Sequence, residues 1–272
     1  MTQEILVLGA TGKTGRRVVR ALEKSGAGVR AASRSSAVRF DWSDESTWGP
    51  ALSGVSAAYV IAPYDPAAAA PFVDQARAAG VRHLVLLSGR GLDEIPGTVF
   101  AGMHAAEEAV RASDVPWTIL RANNFAQNFS EELWQPGIRA GRLALPVDDT
   151  PEPFVDVHDI ADVAALVLTG GGHHGRTYEL TGPATITFDT AVRKISSALG
   201  RTVELVRLTP DEYRESLLSQ GVSEEEAAEL NGMYDAMRKG LLAPTTDDVS
   251  RLLGRPATDF DTYVAGALDA WR

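Results

Sequence analysis

Apolar and polar positions follow a repeating block pattern through the first half of the chain. Ile5 to Leu8 form a short apolar run that meets Gly9, Gly12 and Gly15, after which Val18, Val19 and Leu22 recur at helical spacing. A run of that length bounded by turn residues predicts a buried strand, and the recurrence predicts an amphipathic helix. Gly28–Ser33, Ala57–Ala62, His83–Ser88 and Trp117–Leu120 read as further strands, with helices over Ala67–Ala79, closed by Gly80, and over His104–Ala112. Such alternation predicts a parallel sheet covered on both faces, an α/β, Rossmann-like doubly wound fold.

Beyond Arg121 the alternation loosens. Residues 122–153 read as loop-rich, and a helix follows, opened by Asp159 with Asp162 as its capping partner. From Tyr178 come a strand, a helix over Phe188–Leu199, a strand over Val203–Val206, and helices opening at Thr209-Pro-Asp-Glu212 and Ser223-Glu-Glu-Glu226. The expected division is a nucleotide-binding domain over residues 1–122 plus about 153–170, and a smaller C-terminal α/β lobe over about 123–152 and 176–272. That lobe would lean over the strand ends, where open α/β sheets bind ligands.

The glycines carry the first chemical signal. A strand that delivers a glycine-rich turn into a helix start leaves free N–H groups and the positive end of a helix dipole facing one small volume, which suits a pyrophosphate. Gly9 permits the tight turn, Gly12 the close approach of backbone to phosphate, and Gly15 the close packing of helix on strand. Thr11, Lys13 and Thr14 complete the loop. The spacing is G-x-x-G-x-x-G, and a bare strand-to-helix turn is the alternative that the flanking strand and helix argue against.

The residue that selects the cofactor should stand roughly 20 residues past the glycines. There the chain reads Ala32-Ser33-Arg34-Ser35-Ser36, with no acid between Glu23 and Asp41. Arg34 can pair with a 2′-phosphate as a charge-assisted fork, Ser33 or Ser35 can add a hydroxyl, and Lys13 can add a second cation near the same phosphate. NADP(H) is therefore expected over NAD(H). Asp41-Trp42 would lie along the adenine edge or end the third strand in solvent.

Composition narrows the remaining chemistry. At 272 residues and 44% hydrophobic content the chain can bury a full core. The absence of cysteine excludes disulfides, thiolate catalysis and iron–sulfur ligation, so redox chemistry must come from a bound cofactor. A net charge of −10 argues against direct binding of nucleic acid or anionic membrane. No apolar run approaches the roughly 20 residues of a membrane helix, and Glu4 stands where a signal peptide would be basic, so a cytoplasmic location is expected. Asn128-Phe-Ser130 matches the glycosylation acceptor pattern by coincidence in that setting. His173 and His174 lie in a glycine-rich loop with no acid at ligand spacing, and no metal is expected. Asp156, His158 and Asp159 suggest a catalytic trio, but Asp159 reads better as a helix cap, and no Gly-x-Ser-x-Gly elbow supports a hydrolase.

Several longer segments carry a family resemblance: Gly9-Ala-Thr-Gly-Lys-Thr-Gly15, Ala78-Ala-Gly-Val-Arg-His-Leu-Val-Leu-Leu-Ser88, Pro116-Trp-Thr-Ile-Leu-Arg-Ala-Asn-Asn-Phe125, Pro153-Phe-Val-Asp-Val-His-Asp-Ile-Ala-Asp162 and Arg176-Thr-Tyr-Glu-Leu-Thr-Gly182. In these, and nearly end to end, the chain resembles the NmrA-like atypical short-chain dehydrogenases/reductases, a group that includes NADPH-dependent quinone reductases and redox-sensing regulators. The resemblance implies NADP(H) over the strand ends and a substrate cleft between the lobes. One departure matters. Short-chain dehydrogenases commonly use Tyr-x-x-x-Lys, but the six tyrosines here are followed four residues on by Pro63, Ala68, Gly182, Leu217, Arg238 and Ala267. No lysine lies between Lys24 and Lys194, which also removes the lysine of isoflavone-reductase-like relatives.

Hydride transfer to a quinone or conjugated carbonyl depends chiefly on orientation, and the product oxygen can collect its proton from water. If a donor is needed, His104 is the candidate, with Met103 as the alternative aligned position. Ser88 would hydrogen-bond a carbonyl or cap the following loop. Ala62 and Pro63 would pass under the nicotinamide ribose, Tyr64 would line the cleft, and Asn123 and Asn124 would bond the carboxamide or substrate. Tyr234 and Met237 would form an apolar lid or pack in the core. The expected function is NADPH-dependent reduction of a small-molecule quinone or related carbonyl. The alternatives are an NADP(H)-sensing regulator with a protein partner, and a tailoring enzyme of secondary metabolism.

Overall fold

The computed structural model describes residues 4–272. In chain order the elements are β1 (Glu4–Leu8), α1 (Gly15–Lys24), β2 (Gly28–Ser33), β3 (Val38–Arg39), α2 (Trp48–Leu52), β4 (Val55–Ile61), α3 (Ala69–Ala78), β5 (Leu84–Gly89), α4 (Ala101–Ala112) and β6 (Trp117–Ala122). There follow α5 (Gln135–Ala140), β7 (Arg142–Leu145), α6 (Val157–Thr169), β8 (Arg176–Leu180), α7 (Phe188–Leu199), β9 (Glu204–Arg207), α8 (Pro210–Ser219), α9 (Glu224–Arg238), α10 (Asp248–Leu253) and α11 (Phe260–Ala267).

Seven strands form one parallel sheet in the order β3-β2-β1-β4-β5-β6-β8. The order reverses between β1 and β4, so the loops after these two strands leave on opposite faces and open a crevice at their C-terminal ends. The inner strands are apolar on both sides because both sides are covered. On one face α1, α6 and α10 bury Val18, Ile160 and Val249 against Val7 and Tyr59, and on the other α2, α3 and α4 bury Trp48, Phe72 and Val110 against Leu6 and Leu86. Elements α5, α7, α8, α9, α11 and the small parallel pair β7–β9 share a third core that includes Phe129, Trp134, Phe188, Tyr234 and Trp271.

Three expectations are corrected. Strand β8, assigned from sequence to the C-terminal lobe, pairs with β6 in the main sheet, because Tyr178 and Leu180 bury into the same core as α6. Helix α6 begins at Val157, and its cap is Asp156, which accepts from the His158 N–H. Asp159 lies inside the first turn, fully buried, where Arg255 Nη1 and the Thr258 N–H each donate to it at 2.7 Å and tie the C-terminal segment to α6. Helix α4 starts at Ala101, nearly one turn before His104. Among the described residues no helix is long and apolar enough to cross a membrane.

The N-terminal ends of β5, β6 and β8, away from the crevice, hold a histidine cluster. Thr118 Oγ1 gives its proton to the His173 carbonyl, so the buried His83 donates from Nε2 to Thr118 at 2.9 Å, and its ring stands 4.5 Å from that of His174. Burial first, then His174 and His173, lower the His83 pKa from 6.5 to about 4. The unfolded chain therefore takes up a proton that the fold refuses, and stability present above pH 6.5 is lost as pH falls toward 4. This part of the acid slope, at most about 3 kcal/mol, is expected to be missing from His83→Gln in denaturant titrations across that window. Parallel slopes in both proteins would refute it.

Candidate functional site

The loop after β1 is shaped by close contacts. Gly9 has φ +62°, and a Cβ on Gly15 would lie 2.1 Å from the Gly9 carbonyl oxygen, so α1 can start this close to the strand only with glycine there. The Gly12 N–H closes the turn on that same carbonyl at 2.8 Å, leaving the N–H groups of Thr11, Lys13 and Thr14 without an acceptor among the described residues. Free donors at a helix start fit an anionic pyrophosphate. The Thr14 side chain is buried and lines neither of the cavities described next, so that residue offers its backbone alone.

From this loop a groove of about 590 Å³ runs past Ser33, Arg34, Ser35, Asp41 and Trp42. Arg34 is exposed and forms no ion pair among the described residues. The Ser33 hydroxyl is engaged with Ser36 Oγ at 2.7 Å and the Ser35 N–H at 3.2 Å, so it shapes the turn. Hydrogen bonds from Ser43 hold the Asp41 carboxyl below its usual range. Trp42 packs edge-on against Phe40 and Phe72 at 5.0 and 4.9 Å.

Ile61 and Ala62 line this groove and also a second cavity of about 370 Å³, so the two adjoin at the end of β4. The second cavity is walled mainly by apolar groups, Leu87, Phe100, Met103, Met233 and Leu242 among them, with Lys13, Ser88, Arg90, Asn123, Asn124 and Glu132 among its polar members. Phe100 and Glu132, both at its wall, are the non-glycine residues of the described chain with positive φ, 55° and 60°. Backbone strain of this kind persists where the surroundings enforce it, commonly at functional sites.

Several expected residues stand elsewhere. Lys13 does not join Arg34: its ammonium donates to Asn128 Oδ1 at 2.8 Å, lies 3.6 Å from Glu132, and faces the second cavity. Burial lowers its pKa, opposed by Glu132 and Glu131. His104 lines neither cavity, since the phase of α4 turns Met103 inward. Pro63 is buried beneath α4, whose Gly102 approaches the Pro63 carbonyl so closely that a Cβ would sit 1.9 Å from it. Tyr64, 56% exposed, lines the outer groove rather than the cavity. Tyr234 is fully buried, accepts from Trp134 Nε1 at 2.8 Å, and belongs to the third core with Met237; Met233 and Ala236 face the cavity from α9. Ser88, by contrast, stands in the cavity wall, but its hydroxyl is buried and turned toward the buried Glu107 carboxylate, which it helps to hold below the usual carboxylate range.

Besides the buried Glu107–Arg121 ion pair, two buried charged residues that bear on the cavity escaped the sequence reading. Arg90 anchors the segment after α9, donating to the Leu242 and Pro244 carbonyls at 3.0 and 2.7 Å and to Glu179 at 3.0 Å. Glu152, fully buried, accepts from Asn123 and Asn124 at 3.1 Å each, and burial pushes its carboxyl up to about 7. The signal available was a lone acid between Pro151 and Pro153 beside an apolar run. No group of three or more metal-ligating side chains is gathered among the described residues.

Gly15→Ala is expected to push α1 off β1, to destabilise the fold by roughly 1–3 kcal/mol, and to abolish nicotinamide-dinucleotide binding in a fluorescence titration. Gly49→Ala, which meets nothing within 4 Å, is expected to leave binding unchanged. Equal binding by Gly15→Ala and the parent would contradict the steric argument.

Comparison with known proteins agrees with this architecture. The NmrA-like family model matches residues 1–264. A (4-alkanoyl-5-oxo-2,5-dihydrofuran-3-yl)methyl phosphate reductase of Streptomyces griseus subsp. griseus is 35% identical over 98% of this chain and 99% of its own length. The triphenylmethane reductase of a Citrobacter species, solved with NADP(H), superposes with a TM-score of 0.79 at 26% identity, covering 97% of this chain and 100% of that one. An NADPH-dependent quinone oxidoreductase of Escherichia coli, solved with NADPH, shares the fold with a TM-score of 0.83 at 24% identity, covering 96% and 99%. A glycine loop at the switch point, a groove and cavity adjoining at the end of β4, and a family match over nearly the whole chain lead to one conclusion: this protein is a member of the NmrA-like family.

Proposed function

We propose that the protein is an NADPH-dependent oxidoreductase that reduces a quinone or related conjugated carbonyl. The observation that carries this reading is that groove and cavity adjoin at Ile61 and Ala62, with the phosphate loop and Arg34 on one side and a mainly apolar chamber on the other. When bound, the cofactor supplies a hydride to an electron-poor acceptor. The names of the dihydrofuranone-phosphate reductase and the triphenylmethane reductase support reductive chemistry on conjugated acceptors.

The chain's own groups divide the work. Thr11, Lys13 and Thr14 offer N–H donors to the pyrophosphate, and Arg34, with no competing partner, offers a fork to a 2′-phosphate. Leu87, Phe100, Met103 and Met233 exclude water and hold a flat apolar acceptor. Ser88 Oγ, once rotated away from Glu107, can donate to the acceptor's carbonyl, and the Lys13 ammonium can stabilise the oxyanion formed there. No tyrosine–lysine pair is required, because the reduced oxygen can take its proton from solvent as the product leaves the chamber. The absence of that pair favours a second reading, an NADP(H) sensor without turnover.

Arg34→Ala is expected to weaken NADPH binding by about tenfold to a hundredfold, the worth of one charged hydrogen-bonding fork, while NADH changes little. Equal losses for the two cofactors would defeat the phosphate assignment. In an absorbance assay with a panel of quinones, NADPH oxidation is expected with at least one acceptor. Tight binding with no oxidation on any of them would favour the sensor.

A further inference from the structure

Glu152 pairs in an isolated bridge with Ile186 and is wholly enclosed. Its Oε2 accepts N–H groups from Asn123 and Asn124, yet its Oε1 and the Asn123 Oδ1 are both buried with no partner. Two bare acceptors on groups that already share one hydrogen bond are costly, and buried polar atoms are normally satisfied. A single proton would remove both defects. Placed on Oε1 and donated to Asn123 Oδ1, it would close, together with the Asn123 Nδ2 bond to Oε2, the two-bond ring that a carboxylic acid forms with a primary amide.

We propose that Glu152 is a neutral carboxylic acid joined head-on to the Asn123 carboxamide, and that this acid–amide pair is the positioning device that fixes Asn123 and Asn124 in the wall of the substrate cavity. The effect on turnover rests on the reductase reading; the pairing does not. Its surroundings suit the neutral form. Burial raises the carboxyl to about 7, against the pull of Asn124, Asn123 and Arg90. Arg90 is the charged side chain that faces it, and the guanidinium is committed to Glu179 and to the carbonyls of Leu242 and Pro244, so no cation bonds Glu152 among the described residues. Loss of the proton leaves Asn123 Oδ1 without its donor and a buried charge beside it. The pair therefore contributes fully at acid pH, and both stability and cavity geometry are lost as pH rises through the raised value.

The test compares the full-length parent with Glu152→Gln and Glu152→Ala. Glutamine keeps the ring without a titrating proton, since its amide N–H can donate to Asn123 Oδ1. Three results are expected. Infrared difference spectra at about pH 6 show a protonated carboxyl band in the parent that Glu152→Gln lacks. Stability of the cofactor-free parent falls between about pH 5 and pH 8 relative to Glu152→Gln. Quinone-dependent kcat in the parent drops about tenfold over the alkaline limb, Glu152→Gln stays flat near the acid-limb rate, and Glu152→Ala is slow throughout with its NADPH affinity retained. A parent without the carboxyl band, or with a stability profile parallel to that of Glu152→Gln, overturns the proposal. Absence of turnover with every quinone would overturn the reductase reading instead, with the infrared and stability comparison still deciding the state of Glu152.

Discussion

Helix α1 can begin where it does because the Cα of Gly15 lies against the carbonyl of Gly9, in a space that a Cβ would enter to within 2.1 Å. That contact draws the helix start over the end of β1, at the point where strand order reverses. The free N–H donors of the loop and the positive helix end then face the same crevice. The groove toward Arg34 and the cavity toward Ser88 both start from this crevice and meet at Ile61 and Ala62. Without the glycine contact there would be strands and helices but no phosphate cradle.

The substrate side is built differently, from segments distant in sequence folded onto the strand ends. Phe100 and Glu132 hold left-handed backbone at the cavity wall, Met233 reaches it from α9, and Arg90 fastens the following segment through backbone carbonyls. The floor is polar but closed: Glu152 holds the two asparagines from beneath, and Asn123 is locked between it and the Pro153 carbonyl. A rigid phosphate end and a wall assembled from several segments suit a protein whose cofactor is fixed and whose acceptor is set by local side chains.

What was legible in the sequence follows the same division. The three glycines could be read because each has a steric task set by its immediate neighbours, and the place of Arg34 on the groove, though not its role, because it directly follows β2. The direction of Lys13 could not be read, since its partner Asn128 lies 115 positions away. Helical spacing admits Tyr234 as lid or as core, and the fold decides for the core, where its hydroxyl is claimed by Trp134 across 100 positions. His104 and Met103 were separable only through the phase of α4, where one residue turns a side chain by about 100°. Strand β8 was assigned to the wrong layer because a five-residue strand carries no mark of the sheet it joins. Glu152 gave almost no signal, since a buried carboxyl is recognised by its enclosure and its bare oxygen, both properties of the folded chain.

The central claim is that the adjoining groove and cavity together hold a phosphorylated dinucleotide, with its phosphates at Gly9–Gly15 and Arg34 and its reactive end at the chamber beside Ser88 and Met103. A crystal structure of the complex with NADPH tests it most directly. The expected result has the 2′-phosphate on the Arg34 guanidinium and the nicotinamide beside Ile61 and Ala62, with C4 open to the chamber. A complex in which Arg34 remains in solvent, or in which C4 is sealed from the chamber by protein, would contradict it.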